Sequence, residues 1–397
     1  MPQSNYPITQ LPNYQIPTLA AIAELRLRNQ RLSGGPRRRP ADVVAWLGAV
    51  QAQEYPAARW GLALRMREGT TDAAIRRAVD EGQLLRIHVM RPTWHFVTPA
   101  DARWMLELTS ARVHRTMSTY YRQSGLDGEL LARSTAIFER ALGEGRALTR
   151  PELGAQLARK GIVAKGIRLA LMTVYAELEG VICSGPYRGK QLTYAPLADR
   201  APRTARLSRD EAIGELTRRY FRSHGPATIR DFVWWSGLPT SDAKRGLEIN
   251  RAKKEVIDGL SYWYQGAGLK ARTTRAADLK VRTTCTADLK VRTTAEAVVQ
   301  AFRPANRVHL LPIYDEYLVA YRDRLAVPHA AASVRSSAGK VVSFQHALVI
   351  GGQVTGSWKA KGSTIEVFPL RKLSAAERRG VDEAEARFKE FMNGPDA

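Results

Sequence analysis

Gln51 and Gln53 stand two residues apart in the stretch DVVAWLGAVQAQEYPAARWGLALR (42–65), at the end of an apolar run where leucine would be the ordinary choice. Val44, Leu47 and Gln51 fall at i, i+3 and i+7, one stripe of a helical period, so the third member of that stripe is an amide. A carboxamide offers oxygen lone pairs and two N–H donors but no charge. A pair of them can accept from a water and orient it while the NH2 groups anchor to a neighbour. A neutral amide is a feeble base, so such a pair suits only a substrate that is already activated. Side chains at i and i+2 of a helix point about 200° apart, so both amides can meet one water only if the helix ends at or near Ala52. Glu54-Tyr55-Pro56 supplies an ending, because proline disfavours helix in the residue before it. The competing reading is a buried structural Gln51 and a surface Gln53.

Charge says what such a site would face. The 397 residues carry 61 Lys+Arg against 38 Asp+Glu, a net charge of +23. Arginine supplies most of the excess and suits bidentate phosphate contacts. A basic surface of this size points to a polyanion, and nucleic acid is the commonest one. The two cysteines lie about a hundred residues apart and the seven histidines are scattered, so neither a disulfide nor a metal site is expected, and no cofactor. No apolar run approaches the roughly 18–20 residues of a membrane span, and the N-terminus lacks a signal pattern. A cytoplasmic chain is expected, and a monomer, since no dimerisation segment stands out.

Against a nucleic-acid partner, Arg59 and Arg91 are candidate phosphate ligands. His95, in RPTWHFV, either contacts phosphate, supports the water or fills a half-buried strand position. Arg230, Lys244 and Arg245 lie in a unit patterned like a helix–turn–helix and are further candidates for the polyanion. Trp94, Trp234 and Trp235 have the rings to stack on bases, although their apolar neighbours favour packing, most of all for Trp234–Trp235. Asp315, Glu316 and Tyr317 make an acidic, aromatic knot in a basic chain. Either Asp315 and Tyr317 face a cleft and favour a cation there, or Asp315 pairs with a structural arginine such as Arg322 or Arg324.

The elements that must position these residues repeat. Helical patterns at 19–32, from Pro40 through the glutamines, to about Met66, and at 70–88 with Thr70 or Thr71 as cap, precede an alternating stretch at 89–98. Helices followed by a short hairpin outline a winged helix. The outline recurs at 147–197 and at 208–249, where Thr228 caps IRDFVWWSG, Gly237 ends it and Thr240 or Ser241 caps the next helix. From 297 the texture changes to short strands with a Gly351–Gly352 hairpin, a small β-barrel or sheet, closed by an amphipathic helix at 374–392. A basic decapeptide repeat, LKARTTRAAD and its copies from Leu269 to Thr294, interrupts the pattern as a duplicated loop. The expected organisation is α+β: units at 1–110, 111–203 and 204–264, the repeat insertion at 265–295, and a C-terminal unit at 296–397.

Several stretches together resemble one family. QAQ (51–53), RPTWHFVTPAD (91–101), HGPATIRDFVWWSGL (224–238), LPIYDEYLVAYRDR (311–324) and GGQVTGSWK (351–359) look like the winged-helix DNA glycosylases of the AlkZ/YcaQ type, in matching order over nearly the whole chain except the repeat. The resemblance implies three tandem winged helices and a C-terminal β-barrel around a DNA-binding cleft. It implies hydrolysis of the N-glycosidic bond of alkylated N7 or N3 purines in double-stranded DNA, with crosslink unhooking in some members. Gln51 and Gln53 match the Gln/Gln form of the family's catalytic signature, the branch associated with self-resistance to DNA-alkylating antibiotics. Two other classes remain: a non-enzymatic winged-helix regulator or architectural factor, which leaves the amide pair unexplained, and a nuclease, which needs clustered carboxylates that only Asp315 and Glu316 hint at.

Overall fold

The computed structural model describes residues 19–265 (apart from 144, 190, 202, 204 and 205), 307–327, a short strand pair at 334–335 and 341–342, and 345–394. The decapeptide repeat lies outside these residues.

The first described elements are α1 (Leu19–Asn29) and α2 (Pro40–Leu47), which proline starts at its first position. Gly48 ends α2 with φ 93°, a conformation that suits glycine. The helix therefore stops well short of Ala52, and the expectation that Gln51 continues its stripe is wrong. Val50–Gln51 is instead a short strand, β1. After α3 (Tyr55–Ala63) comes α4 (Asp72–Asp80), capped by Thr71, whose hydroxyl accepts from the Ala74 N–H at 3.1 Å. The helical pattern over 70–88 overreaches, because 85–88 leaves the helix as β2 (Leu85–His88). β2 pairs with β3 (Trp94–Val97), and β3 pairs on its other edge with β1, giving a three-stranded antiparallel sheet in the order β1-β3-β2.

A 25-residue helix, α5 (Pro99–Gln123), runs through the boundary expected at 110 and leads into α6 (Gly128–Leu142), α7 (Arg150–Ala158) and α8 (Gly166–Leu178). A hairpin of β4 (Ile182–Arg188) and β5 (Gln191–Pro196) closes this second unit, and the short α9 (Leu197–Arg200) leaves it. The third unit has α10 (Arg209–Ser223), α11 (Ile229–Ser236), α12 (Thr240–Ile249) and the hairpin of β6 (Lys253–Ile257) and β7 (Leu260–Tyr264). Thr228 and Asp231 form a capping box at the start of α11, and Gly237 ends it in the left-handed conformation. The cap position of α12 belongs to Pro239, not to Thr240 or Ser241.

The C-terminal part comprises β8 (Val308–Leu311), the one-turn α13 (Glu316–Val319), the β9 (Val334–Arg335) and β10 (Val341–Val342) pair, β11 (Ala347–Ile350), β12 (Gln353–Lys361), β13 (Thr364–Pro369) and α14 (Ala375–Asn393). Among the described residues β13-β12-β11-β8 is an open four-stranded sheet, not a closed barrel. α14 packs across it: Phe388 lies 5.1 Å from Trp60 and 5.4 Å from Trp358 between ring centroids.

Two apolar cores result. One runs through α5 to α12; the other joins α1 to α4 with the C-terminal sheet and α14. The first helices thus pack on the last strands, and β1 lies where the two cores meet, with Ala49 in one and Val50 in the other. No helix among the described residues is long and apolar enough to cross a membrane.

Candidate active site

The register of β1 on β3 places Gln51 opposite His95, and the Ala52 N–H donates to the Trp94 carbonyl at 2.7 Å. β1 ends at Gln51 and Gln53 follows in a bend, so the two amides leave the end of a strand where a helix end was expected. Both carboxamide oxygens take hydrogen bonds from the facing segment. The Gln51 Oε1 accepts from the Arg91 guanidinium at 2.8 Å, and the Gln53 Oε1 from the Trp94 N–H at 3.4 Å. Gln51 is 5% exposed and Gln53 is half-buried, so the second amide forms the open side of the pair.

The backbone of this ribbon is held as firmly as its side chains. The Gln51 N–H donates to the Glu316 carboxylate at 2.7 Å. Arg86 donates to the carbonyls of Ala52 at 2.9 Å and Gln53 at 3.2 Å, while its guanidinium stacks 4.1 Å over Trp94. Burial lowers the Arg86 pKa to about 10, which leaves it a cation at neutral pH. Sequence reasoning missed Arg86 altogether and passed over Glu316 for its neighbours; an alternating strand position is the only signal Arg86 gives.

Glu316 is fully buried and ligated from three sides. Its second oxygen accepts from the Trp235 indole N–H at 2.9 Å and faces His224 Nε2 at 3.4 Å. Burial alone would raise its pKa, but His224, the Gln51 N–H and Arg91 outweigh that and hold the carboxyl below its ordinary value. The strand is thereby fastened by an anion that stays ionised.

Arg91 and His95 belong to the same cluster. Burial, with Arg91 beside it, drives the His95 pKa well below that of a free imidazole, so the ring is neutral. Its Nδ1–H donates to the Thr93 carbonyl at 2.9 Å, and Nε2 accepts from Arg91 at 3.3 Å. Arg91 meets both Gln51 and His95 through one amino nitrogen, and its Nε has no hydrogen-bond partner among the described residues. Gly237 lets α11 approach this loop, since a Cβ there would lie 2.5 Å from the Met90 carbonyl oxygen.

The remaining candidates fall elsewhere. Arg59 is buried, makes a two-point contact with Asp72 at 2.6 and 3.2 Å, and lies over the Tyr55 ring, so its guanidinium is not presented to a phosphate. Asp315 and Tyr317 do not face a cleft. Asp315 holds Arg65 in a buried two-point ion pair at 2.7 and 2.8 Å, a different partner from either arginine expected, and the Tyr317 hydroxyl donates to the Gly352 carbonyl at 2.7 Å. Arg230, Lys244 and Arg245 are exposed on α11 and α12, make no hydrogen bond to either glutamine, and Arg245 is paired with Asp210 at 2.7 Å. Trp235 is buried, and Trp234 donates its indole N–H to the Val319 carbonyl at 2.9 Å. Among the described residues no group of three or more His, Cys, Asp or Glu is placed to hold a metal ion.

A helical scaffold around one short strand that carries a neutral amide and is followed by a second, in a strongly basic chain, defines the class. The model of the AlkZ-like DNA glycosylase family matches residues 44–391, and the chain belongs to that family and is a DNA glycosylase. It is 26% identical over 371 residues to the interstrand DNA cross-link repair glycosylase of Streptomyces sahachiroi, covering 90% of this chain and 93% of that one. The solved structure of Streptomyces sahachiroi DNA glycosylase AlkZ has the same fold, with a TM-score of 0.70 at 22% identity over 94% of this chain and 97% of that one.

Proposed function

We propose that the chain is a monofunctional, cofactor-independent repair enzyme that hydrolyses the N-glycosidic bond of N7- or N3-alkylated purines in double-stranded DNA. Gln51 and Gln53 hold the attacking water. The observation that carries this reading is that both carboxamide oxygens are fixed from one segment, by Arg91 and by the Trp94 N–H, on a ribbon whose backbone is tied to Glu316 and Arg86.

Cleavage passes through an oxocarbenium-like sugar. An alkylated purine already carries positive charge, so the electrons of the breaking C–N bond neutralise it on departure and no general acid is required. The water oxygen bonds to C1′ and its proton passes to solvent. Arg91 occupies one lone pair of the Gln51 Oε1 and sets which way the amide points; the second lone pair and the NH2 group remain for the water and the nucleotide. Because neutral amides activate water weakly, undamaged purines are left alone. The three helix–hairpin units act as winged-helix modules, the first carrying the amides, and the protein works as a cytoplasmic monomer. The Streptomyces relative is named for interstrand cross-link repair; a site whose open side is a half-buried Gln53 suits bulky adducts and crosslinks that cannot be turned fully out of the duplex.

Release of 7-methylguanine from a methylated duplex tests the reading. The Gln51→Ala/Gln53→Ala double variant is expected to release base at least 100-fold more slowly, on the order of what positioned acid–base groups contribute. Wild-type rates in that variant remove the mechanism.

A further inference from the structure

We propose that Arg31, Arg37 and Arg222, gathered around the indole of Trp46, form a phosphate site that clamps the DNA backbone beside the amide-bearing strand. The proposal rests on the DNA reading above and adds a contact to it. The three guanidinium carbons lie 4.1, 4.8 and 4.3 Å from the Trp46 ring centroid. They come from three places: the loop after α1, the segment before α2, and the last turn of α10. Trp46 itself is fixed by its indole N–H, which donates to the Asn29 carbonyl at 2.6 Å.

Like charges do not collect around one ring without reason. An indole attracts a cation over each of two faces, and a third has nothing left to gain there. No carboxylate among the described residues pairs with any of the three. The nearby acids are committed: Glu215 to Arg218 and Arg219 at 2.7 and 2.6 Å, and Asp42 to Arg39 at 2.7 Å. All three Nε atoms are enclosed and lack a hydrogen-bond partner. Burial lowers the Arg31 and Arg222 pKa values; Arg37 lowers Arg31 further, and Arg218, Arg219 and then Arg37 lower Arg222 against an opposing pull from Glu215. The cluster is thus unbalanced in the free protein and becomes balanced when an anion arrives. Planar guanidinium forks match the oxygens of a phosphodiester.

Position favours the DNA backbone as the source of that anion. Trp46 precedes Gln51 by five residues, a chain reach of at most roughly 18 Å. One strand of duplex carries a phosphate every 3.4 Å or so along the axis, so with side-chain reach added at both ends the clamped phosphate lies within roughly ten base pairs of the reacting nucleotide.

The test uses the full-length protein and a fluorescent undamaged duplex, titrated between 50 and 200 mM salt. Each lost phosphate contact removes roughly 0.9 from the slope of log K against log salt, which shrinks the affinity ratio across that range about 3.5-fold. Arg31→Met/Arg222→Met is expected to show at least this loss, with a melting temperature equal to or above wild type because mutual repulsion is relieved. Arg379→Gln, an exposed arginine on α14, provides the comparison and is expected to change the slope little. An unchanged slope in the double variant, or an equal change in Arg379→Gln, overturns the site. Phenylglyoxal labelling of the wild type needs no variant: the duplex should shield Arg31, Arg37 and Arg222 but not Arg379, and equal labelling with and without duplex overturns the site too. Alkylpurine release by the same wild-type sample separates the two ideas. Shielding without base release leaves the site and removes the proposed reaction; release without shielding does the reverse.

Discussion

Two buried glutamates hold β1 and its neighbouring strands, and they do so differently. Glu316 meets His224 and Trp235; Glu177, on α8, meets His88 and Trp94. Each trio is a carboxylate, an imidazole and an indole, all buried except Trp94, which is half-buried. Around Glu316 the fixed donors are close: the Gln51 N–H at 2.7 Å and the Trp235 indole N–H at 2.9 Å. Around Glu177 only His88 Nδ1 is close, while the His88 N–H at 3.4 Å and the Trp94 indole at 3.5 Å are long. One carboxylate therefore holds the backbone that carries an amide; the other tunes the side chains of the strands behind it.

The sharpest way to break this comparison is Glu316→Ala. It strands the Gln51 and Trp235 donors and leaves Arg91 without its counter-charge, which should cost about 3–5 kcal/mol in urea unfolding and abolish base release. Glu316→Gln keeps an acceptor for the Gln51 N–H, so most of the stability should return. If the alanine variant unfolds at the wild-type midpoint, the contrast fails. Glu177→Ala should cost less, about 1–3 kcal/mol, and slow base release less than Glu316→Ala does. A larger catalytic loss in Glu177→Ala would reverse the ranking.

Acid sharpens the contrast further. Burial lowers the pKa values of His95, His224, His309 (to about 4) and His346, so the unfolded chain binds their protons first. Stability should fall as pH drops below about 6.5, the unfolded histidine value. The Glu316 pKa is also lowered, so its contribution is present above about 4.3, the unfolded glutamate value, and is lost as pH falls further through the folded one. Glu316→Gln should therefore flatten only the lower part of an unfolding-versus-pH curve, and His95→Asn the upper part. The smallest effect is expected at Arg245, whose ion pair with Asp210 is fully exposed: Arg245→Gln should leave the melting temperature unchanged within error.

How far these features were legible depends on what each rests on. Caps and turns are local, so Thr228, Gly237 and the Gly351–Gly352 hairpin could be read directly. The amide pair was visible because two uncharged polar residues interrupt an apolar run. Its setting was misread, since Val44, Leu47 and Gln51 fit a helical stripe that Gly48 cuts. Arg91 was read as a phosphate ligand and is instead turned to Gln51, the buried strand position was one of three readings open for His95, and Asp315 and Tyr317 were chosen where Glu316, between them, is the residue that reaches the candidate site.

By itself the sequence determined the basic charge, the start of α2 at Pro40 and the two ends of α11 at Thr228 and Gly237, the order of the family's motifs, and Gln51 and Gln53 as the odd pair. Those are properties of composition and of neighbours within a few residues. Tertiary structure alone decided that residue 316 meets residue 51 across 265 positions, and that three arginines from separate segments share one indole. Such contacts exist only once two cores have closed on each other, because a carboxylate or a guanidinium finds its partner through space, and no local period records which distant segment will be there.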